Sequence, residues 1–470
     1  GTDSFDYTVS DGALEDTATV RIKVGGEPIN VWSGSAQTFG LPGEAQSWIN
    51  ILGNVSDDVV RLSYILNGGA PRTLAIGPDT RRLQADGDFN ADIAYADLDG
   101  SATDDLVTLI ARMSDGSTYE KNIVIDYESG RRWSPDYAID WSEVGAIEDA
   151  VQIVDGRWIV TADGLRSAEP GYDRVVAIGD EHWDNYELTV PITMHDLDTV
   201  DPRGRDGGAF GFGMLWSGHS DDPISGKQPK AGWNPSELLY YENKDGGRMF
   251  FFGRSQLDYV TLEEGETYNF TLRVEQVDGM SKAYSLKVWD VDATEPTDWL
   301  MERTMTYDEP RTGSLLLVSH YYDVSFGDVN ISKIVGSDTL VADKAGGALI
   351  AVDPDAGIYG RSEIDVMRGG QGEDVFVFGS DGTVFYDDLD PSSEGTEDYV
   401  LIWDFVSGQD LIRLSGAPGD YDLERETRYD GTAIWHDAGA GTVRELIGIV
   451  ANITDLTLDG PGFSFPDLIA

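Results

Sequence analysis

No cysteine occurs among the 470 residues, which excludes disulfides, thiolate metal sites and cysteine nucleophiles together. Cations are scarce: 33 Lys and Arg stand against 85 Asp and Glu, a formal charge of −52. Nucleic acid and anionic membranes are therefore poor partners, because binding either needs cationic patches that displace counterions. The five histidines (His182, His195, His219, His320, His436) are too few for a multi-histidine metal centre unless most converge. No apolar run approaches the ~20 residues that cross a bilayer. Helical periodicity is rare as well. There is no H-E-x-x-H of a zinc protease, no G-x-S-x-G elbow and no phosphate loop. The glycine-rich Gly207–Gly213 stretch lies in a strand pattern and precedes no helix.

What remains is an acidic chain with 40% hydrophobic residues and 55 glycines. That apolar content supports real cores, and at roughly 100–200 residues per domain the length suggests three or four of them. Carboxylates in such excess repel one another unless divalent cations or a salty medium neutralise them. The composition fits a bacterial extracellular protein stabilised by calcium. The start, Gly-Thr-Asp-Ser, reads as a fragment of something longer.

Short alternating segments rich in Val, Ile, Thr, Tyr and Phe recur between Gly, Asp, Asn and Pro turns, the pattern of β-sandwiches. The expected fold is all-β throughout. Residues 1–27 hold one hairpin, with strands at Ser4–Val9 and Thr17–Val24, too short to fold alone. Its Asp-Tyr-Thr-Val-Ser-Asp-Gly phrase resembles the last two strands of cadherin-like repeats. Residues 28–130 carry Trp48–Gly53, a hairpin signal at Asn67-Gly68, and strands near Asp92–Ala96 and Leu106–Ala111. Length and turn spacing fit an immunoglobulin-like sandwich. Asp97, Asp99, Asp104 and Asp105 crowd one turn there, as solvated carboxylates or a calcium site.

Residues 131–335 contain strands at Trp183–Val190, Phe210–Trp216, Leu238–Tyr241, Met249–Phe252, Tyr268–Val274, Tyr284–Trp289, Ser314–His320 and Val324–Val329. The order resembles a concanavalin-A-like (laminin-G-type) jelly roll, which implies that fold rather than a particular function. In residues 336–470 apolar residues fall every nine positions, at Leu349, Ile358, Met367, Phe376 and Phe385. Gly369–Val377 matches the calcium-binding nonapeptide G-G-x-G-x-D-x-U-x, and Gly360–Met367 is a degenerate copy. Glycines permit the tight turn, Asp supplies a hard oxygen, and the alternate apolar residue points inward. With turns on one side two nonapeptides apart, Asp374 is expected to face Asp353 and Asp355, and Asp365 to face Asp381. These five are the expected calcium ligands. The strands at Asp398–Phe405, Gly408–Leu414 and Glu445–Val450 resemble the C-terminal region of RTX (hemolysin-type) proteins. That resemblance implies export by a type I secretion system, an extracellular or cell-surface location, and folding on meeting calcium outside the cell.

Candidate chemistry concentrates in the jelly-roll block. Glu181, Asp184 and Glu187 have the wrong parity for the alternate-position carboxylates of sandwich glycosidases. His195 shares an outward polar face with Glu187, Thr189 and Thr193, either a binding cleft or a solvated face. The densest cluster is the loop from Trp216 through His219, Asp221, Asp222 and Gln228 to Trp233. Aromatic rings there would stack on sugar C–H faces, while carboxylate, amide and imidazole groups meet the hydroxyls. Trp216 reads more readily as a core anchor of this long loop, and Trp233 could equally be one. With Tyr241 and His320 these residues form the expected carbohydrate site of an adhesin. The alternatives are a secreted polysaccharide lyase or glycoside hydrolase, with His195, Tyr241 and His320 transferring protons, and a structural surface-layer component.

Overall fold

The structure, a computed structural model, describes residues 26–79, 81–100, 104–199, 207–234, 236–253, 257–334, 336–342, 346–352, 359–380, 382–437, 439 and 443–466, and the backbone of 2–10 and 15–23. The chain is all-β, and its helical segments among these residues are short 3-10 turns. Thr2–Ser10 and Glu15–Lys23 pair antiparallel as one hairpin.

Residues 29–127 form a first sandwich. Its five-stranded sheet runs Ala36–Phe39, Thr118–Tyr127, Asp105–Met113, Val59–Leu66, Arg72–Leu74, and its three-stranded sheet Ile29–Val31, Trp48–Val55, Asp88–Ala94. Along Asp105–Met113 alternate residues turn inward, so Val107, Leu109 and Ala111 meet Ile49, Ile51, Leu62 and Tyr64 in the core. This is the period-2 burial that the sequence alternation dictates.

The second sandwich faces a seven-stranded sheet against a nine-stranded one. The former runs Gln152–Asp155, Arg174–Ile178, Ser314–His320, Ala209–Trp216, Glu237–Glu242, Arg248–Phe251, Leu257–Tyr259. In the latter, Tyr186–Asp196 buries Tyr186, Leu188, Val190, Ile192 and Met194 and turns Glu187, Thr189, Thr193 and His195 outward. Phe210, Phe212, Phe251, Phe270 and Tyr284 fill the space between the sheets, each such ring worth roughly 1.5–3 kcal/mol of burial.

The C-terminal region winds between two sheets whose successive coils are parallel, with Gly431–His436 and Tyr421–Glu426 added antiparallel at the edge of the first. Thr339–Val341, Ile364–Arg368, Tyr399–Ile402 and Glu445–Val450 stack in one, and Ala348–Leu349, Val375–Val377, Leu411–Arg413 and Phe463–Ser464 in the other. Leu349, Met367, Phe376 and Phe385 all enter its core; Ile358 lies outside the described residues. The expected spacing of two nonapeptides between facing turns is corrected. The Gly347 N–H donates to Asp374 Oδ1 at 2.9 Å from 27 residues away, and the Asp374 N–H donates to Asp410 Oδ1 at 3.1 Å across 36. The extra length sits in the long connections from the second sheet back to the first, which adjacent nonapeptides do not reveal.

Candidate functional site

The loop expected to present a sugar-binding rim is instead a docking element between the sandwiches. Trp216 is fully buried and His219 is 1% exposed. The Trp48 indole N–H donates to the His219 carbonyl at 2.9 Å, and the Lys230 ammonium lies 3.9 Å over the Trp48 ring. Arg81 donates to the Ala231 carbonyl at 3.0 Å, and the Ala75 N–H to the Gln228 carbonyl at 2.7 Å. Beneath them Arg82 grips Asp155 through Nε (2.9 Å to each oxygen) and Asp92 through Nη1 (2.8 Å). Burial pushes the Asp155 carboxyl up to about 7 against the pull of Arg82. Two buried carboxylates sharing one guanidinium leave a net negative charge, which favours a proton on one of them. Burial, with Arg82 nearby, also holds the His219 imidazole well below its ordinary value, so it stays neutral. Trp233 is half-buried, edge-on to His219 at 5.0 Å. Gln228 is half-buried, and Asp221 and Asp222 are exposed, Asp221 accepting a hydrogen bond from Lys230. Trp216 and His219 are therefore corrected from ligand contacts to junction core. Tyr241 is corrected likewise: it lies fully buried on the inner sheet face, 5.3 Å from the Phe210 ring.

The outer face of the seven-stranded sheet carries a different set. Gly211 pairs with Val318 and Tyr240, and Tyr240 with Phe250, so these residues share one face. Tyr240 meets Phe252 edge-on at 6.1 Å and Phe250 at 6.4 Å. Phe252 is 64% exposed. At the other end of the face, half-buried His320 places Nδ1 2.7 Å from Asp173 Oδ1. Tyr172 lies at 5.0 Å and Tyr321 at 4.8 Å from its ring. Asp173 (φ 42°) and Tyr321 (φ 63°) both hold left-handed backbone, a cost that concentrates at functional sites. Burial, with Asp173 and Tyr172 close by, pushes the Tyr240 hydroxyl well above its ordinary value, so it stays a donor. The face thus offers flat rings for stacking and a carboxylate-oriented imidazole for hydroxyls or proton transfer.

The three residues expected to transfer protons are not brought together. His195 lies on the outer face of the opposite sheet, with Nε2 2.8 Å from Ser325 Oγ and about 4.0 Å from an Asp163 oxygen. Burial and Arg166 hold its imidazole below the ordinary value. Tyr241 is in the core between the sheets, and only His320 reaches the aromatic face. Sequence reading missed Tyr172, Asp173, Tyr240, Phe250 and Phe252.

Of the expected calcium ligands, Asp353, Asp355 and Asp381 lie outside the described residues. Asp365 is buried, accepting from the Asp338 N–H at 2.6 Å and from the Tyr386 hydroxyl, and burial holds it well above the carboxylate range. Asp374 is buried too, and its Oδ2 has no hydrogen-bond partner. An acidic cluster not foreseen from sequence joins Asp387, Asp388 and buried Glu445, whose carboxylate oxygens lie within 4.8 Å of one another. Burial pushes Glu445 up to about 7, with Asp388 and Asp387 adding to the shift.

No family model matches the chain, and no curated protein sequence does. Solved structures similar to part of it include the alginate lyase Aly36B, 13% identical over 43% of this chain and 97% of that one, with a TM-score of 0.30. Another is an endo-β-1,4-glucuronan lyase of the fungus Trichoderma reesei, 12% identical over 42% and 95%, with a TM-score of 0.27. A third is the VIP36 exoplasmic/lumenal domain in its Ca2+/Man3GlcNAc-bound form, 9% identical over 38% and 83%, with a TM-score of 0.26. Identity and TM-score are low in each case.

Proposed function

We propose that the chain is part of a calcium-dependent extracellular bacterial adhesin whose second sandwich binds carbohydrate on the outer face of its seven-stranded sheet. The observation that carries this is Phe252, 64% exposed beside Tyr240, on the same face as the His320–Asp173 pair. An exposed ring of that size is costly in water unless a partner covers it. A sugar covers it with C–H groups while its hydroxyls meet imidazole, carboxylate and phenol. Calcium suits the C-terminal sheets. Asp374 offers an unpartnered oxygen beside the Gly369–Gly372 turn, with Asp353, Asp355, Asp365 and Asp381 as further expected donors, and the Asp387–Asp388–Glu445 cluster would hold a hard cation. Export by a type I system before calcium-driven folding fits a net charge of −52.

A glycan array in millimolar calcium, followed by titration of Phe252→Ala, tests the reading. Stacking worth about 0.5–1.5 kcal/mol predicts up to roughly tenfold weaker binding. A variant that binds every glycan as tightly as the parent would sink it. The His320–Asp173 pair favours one second reading, a polysaccharide lyase. Its imidazole Nε2 would take the proton α to a uronate carboxylate, and Tyr172 or Tyr240 would protonate the leaving oxygen. Release of unsaturated uronate from alginate or glucuronan, lost in His320→Ala, distinguishes it.

A further inference from the structure

Between the two sandwiches lies a cleft of about 240 Å³ whose polar lining is Asn30, Asn54, the carboxylates Asp86, Asp88 and Glu169, and the guanidinium groups of Arg157 and Arg174, with Trp32 as its ring. It is smaller than the ~300–1,000 Å³ of a drug-sized site, room for one sugar ring rather than a chain. Arg174 decides its character. The residue is only 6% exposed, yet its one direct bond is a 3.4 Å contact from Nε to the Glu169 carbonyl. No carboxylate pairs with it directly among the described residues, and burial lowers its affinity for its proton. Asp88, Asp155 and Glu169 act on it through charge without a direct bond, and Asp88 spends its carboxylate on the Ala85 and Gln84 N–H groups at 2.8 and 3.2 Å. Gly156 (φ 82°) and Gly171 make room for the arm, since a β-carbon at either would collide with it. A buried guanidinium is normally paired, and this one is held open toward the cleft.

Around it the remaining groups are those that grip a sugar. Trp32 supplies a half-buried indole wall, its N–H donating to Asn54 Oδ1 at 3.3 Å, and Asn30 Nδ2 donates to the same oxygen at 2.9 Å. Arg157 and Asp86 are exposed at the mouth. We propose that this cleft binds a carboxylate-bearing sugar, a hexuronate unit of an acidic glycan. The carboxylate lies on Arg174 and Arg157, the ring lies against Trp32, and the hydroxyls meet Asn30, Asn54 and Asp86. The cleft shares no lining residue with the aromatic sheet face, although Arg174 directly follows Asp173, and the proposal stands whether or not that face binds glycan.

The test is calorimetric titration of the whole chain with glucuronate, and with glucose as its neutral counterpart, alongside Trp32→Ala, Arg157→Gln and Phe252→Ala. Saturable glucuronate binding, at least tenfold tighter than glucose and at least tenfold weaker in Trp32→Ala and Arg157→Gln, is expected. Arg174→Met should abolish it, but the substitutions at half-buried Trp32 and exposed Arg157 decide the matter if that variant fails to fold. Absence of saturable glucuronate binding, equal binding of glucose, or binding that survives both substitutions would overturn the proposal. Loss in Phe252→Ala with retention in Trp32→Ala would place the uronate on the sheet face and overturn it as well.

Discussion

Replacing Arg82 by Met should uncouple the two sandwiches. The guanidinium donates to both oxygens of Asp155 at 2.9 Å, to Asp92 at 2.8 and 3.0 Å, and to the carbonyls of Lys230 and Val154 at 2.9 and 3.3 Å. Asp92 belongs to the first sandwich and Asp155 to the second, and both are buried. Removing one partner of a buried ion pair costs about 3–5 kcal/mol, mostly through the charge left behind. Here two carboxylates are left behind, so the upper part of that range applies. The pH dependence follows from Asp155, whose folded pKa of about 7 lies above the ordinary Asp value near 3.9. The folded state keeps a proton that the unfolded state has lost, so stability falls as pH rises from about 4 to about 7 and is flat above. Without Arg82 the folded pKa rises further, so the loss should be larger at pH 8 than at pH 5. Urea unfolding followed by tryptophan fluorescence at both pH values measures it, and Asp155→Asn in the Arg82→Met background should recover part of the loss. A loss under about 1 kcal/mol, or one equal at the two pH values, would refute the account of a net-negative buried triad.

Chelation should lower the melting temperature of the transition that includes residues 336–466, and Asp374→Ala should reproduce part of that drop, both read by calorimetry with and without calcium. Phe376→Ala removes a fully buried ring of the C-terminal core and should cost about 3–5 kcal/mol in denaturant unfolding. Tyr241→Phe should leave glycan binding unchanged, because the side chain never reaches the surface, whereas Tyr240→Phe should weaken it in the same titration.

Strand existence and facing were legible wherever alternation was strict. In Tyr186–Asp196 every second residue is apolar, and the buried set follows that parity. In Glu237–Glu242 the run Leu-Leu-Tyr-Tyr has no alternation, so sequence offers no way to choose between Tyr240 and Tyr241. Pairing decides it: Tyr240 stands opposite Gly211 on the outer face, and Tyr241 opposite Phe210 on the inner. The nine-residue phase placed Leu349, Met367, Phe376 and Phe385 in one core because it reports local geometry. Coil length depends on connections between sheets, which no local pattern encodes. Long-range pairs were out of reach for the same reason. His320 and Asp173 are 147 residues apart, and Glu445 and Asp388 are 57 apart.

The loop at 216–233 shows what composition alone does not decide. A sugar rim and a polar domain junction call for the same groups: flat rings, amides, carboxylates and a few cations. What separates them is whether the partner surface is solvent or protein. Asp155 stands opposite Val175 on the outer sheet face and meets Arg82 of the first sandwich, so docking claims that end of the face. Val175, Leu316 and Val318 are fully buried there, whereas Phe252, Leu257 and Tyr259 at the free edge are 64%, 39% and 62% exposed. A ligand on this face is thereby confined to its free half, from His320 across Tyr240 to Phe252. The junction that buries Trp216 and His219 leaves the aromatic rings at the free edge uncovered.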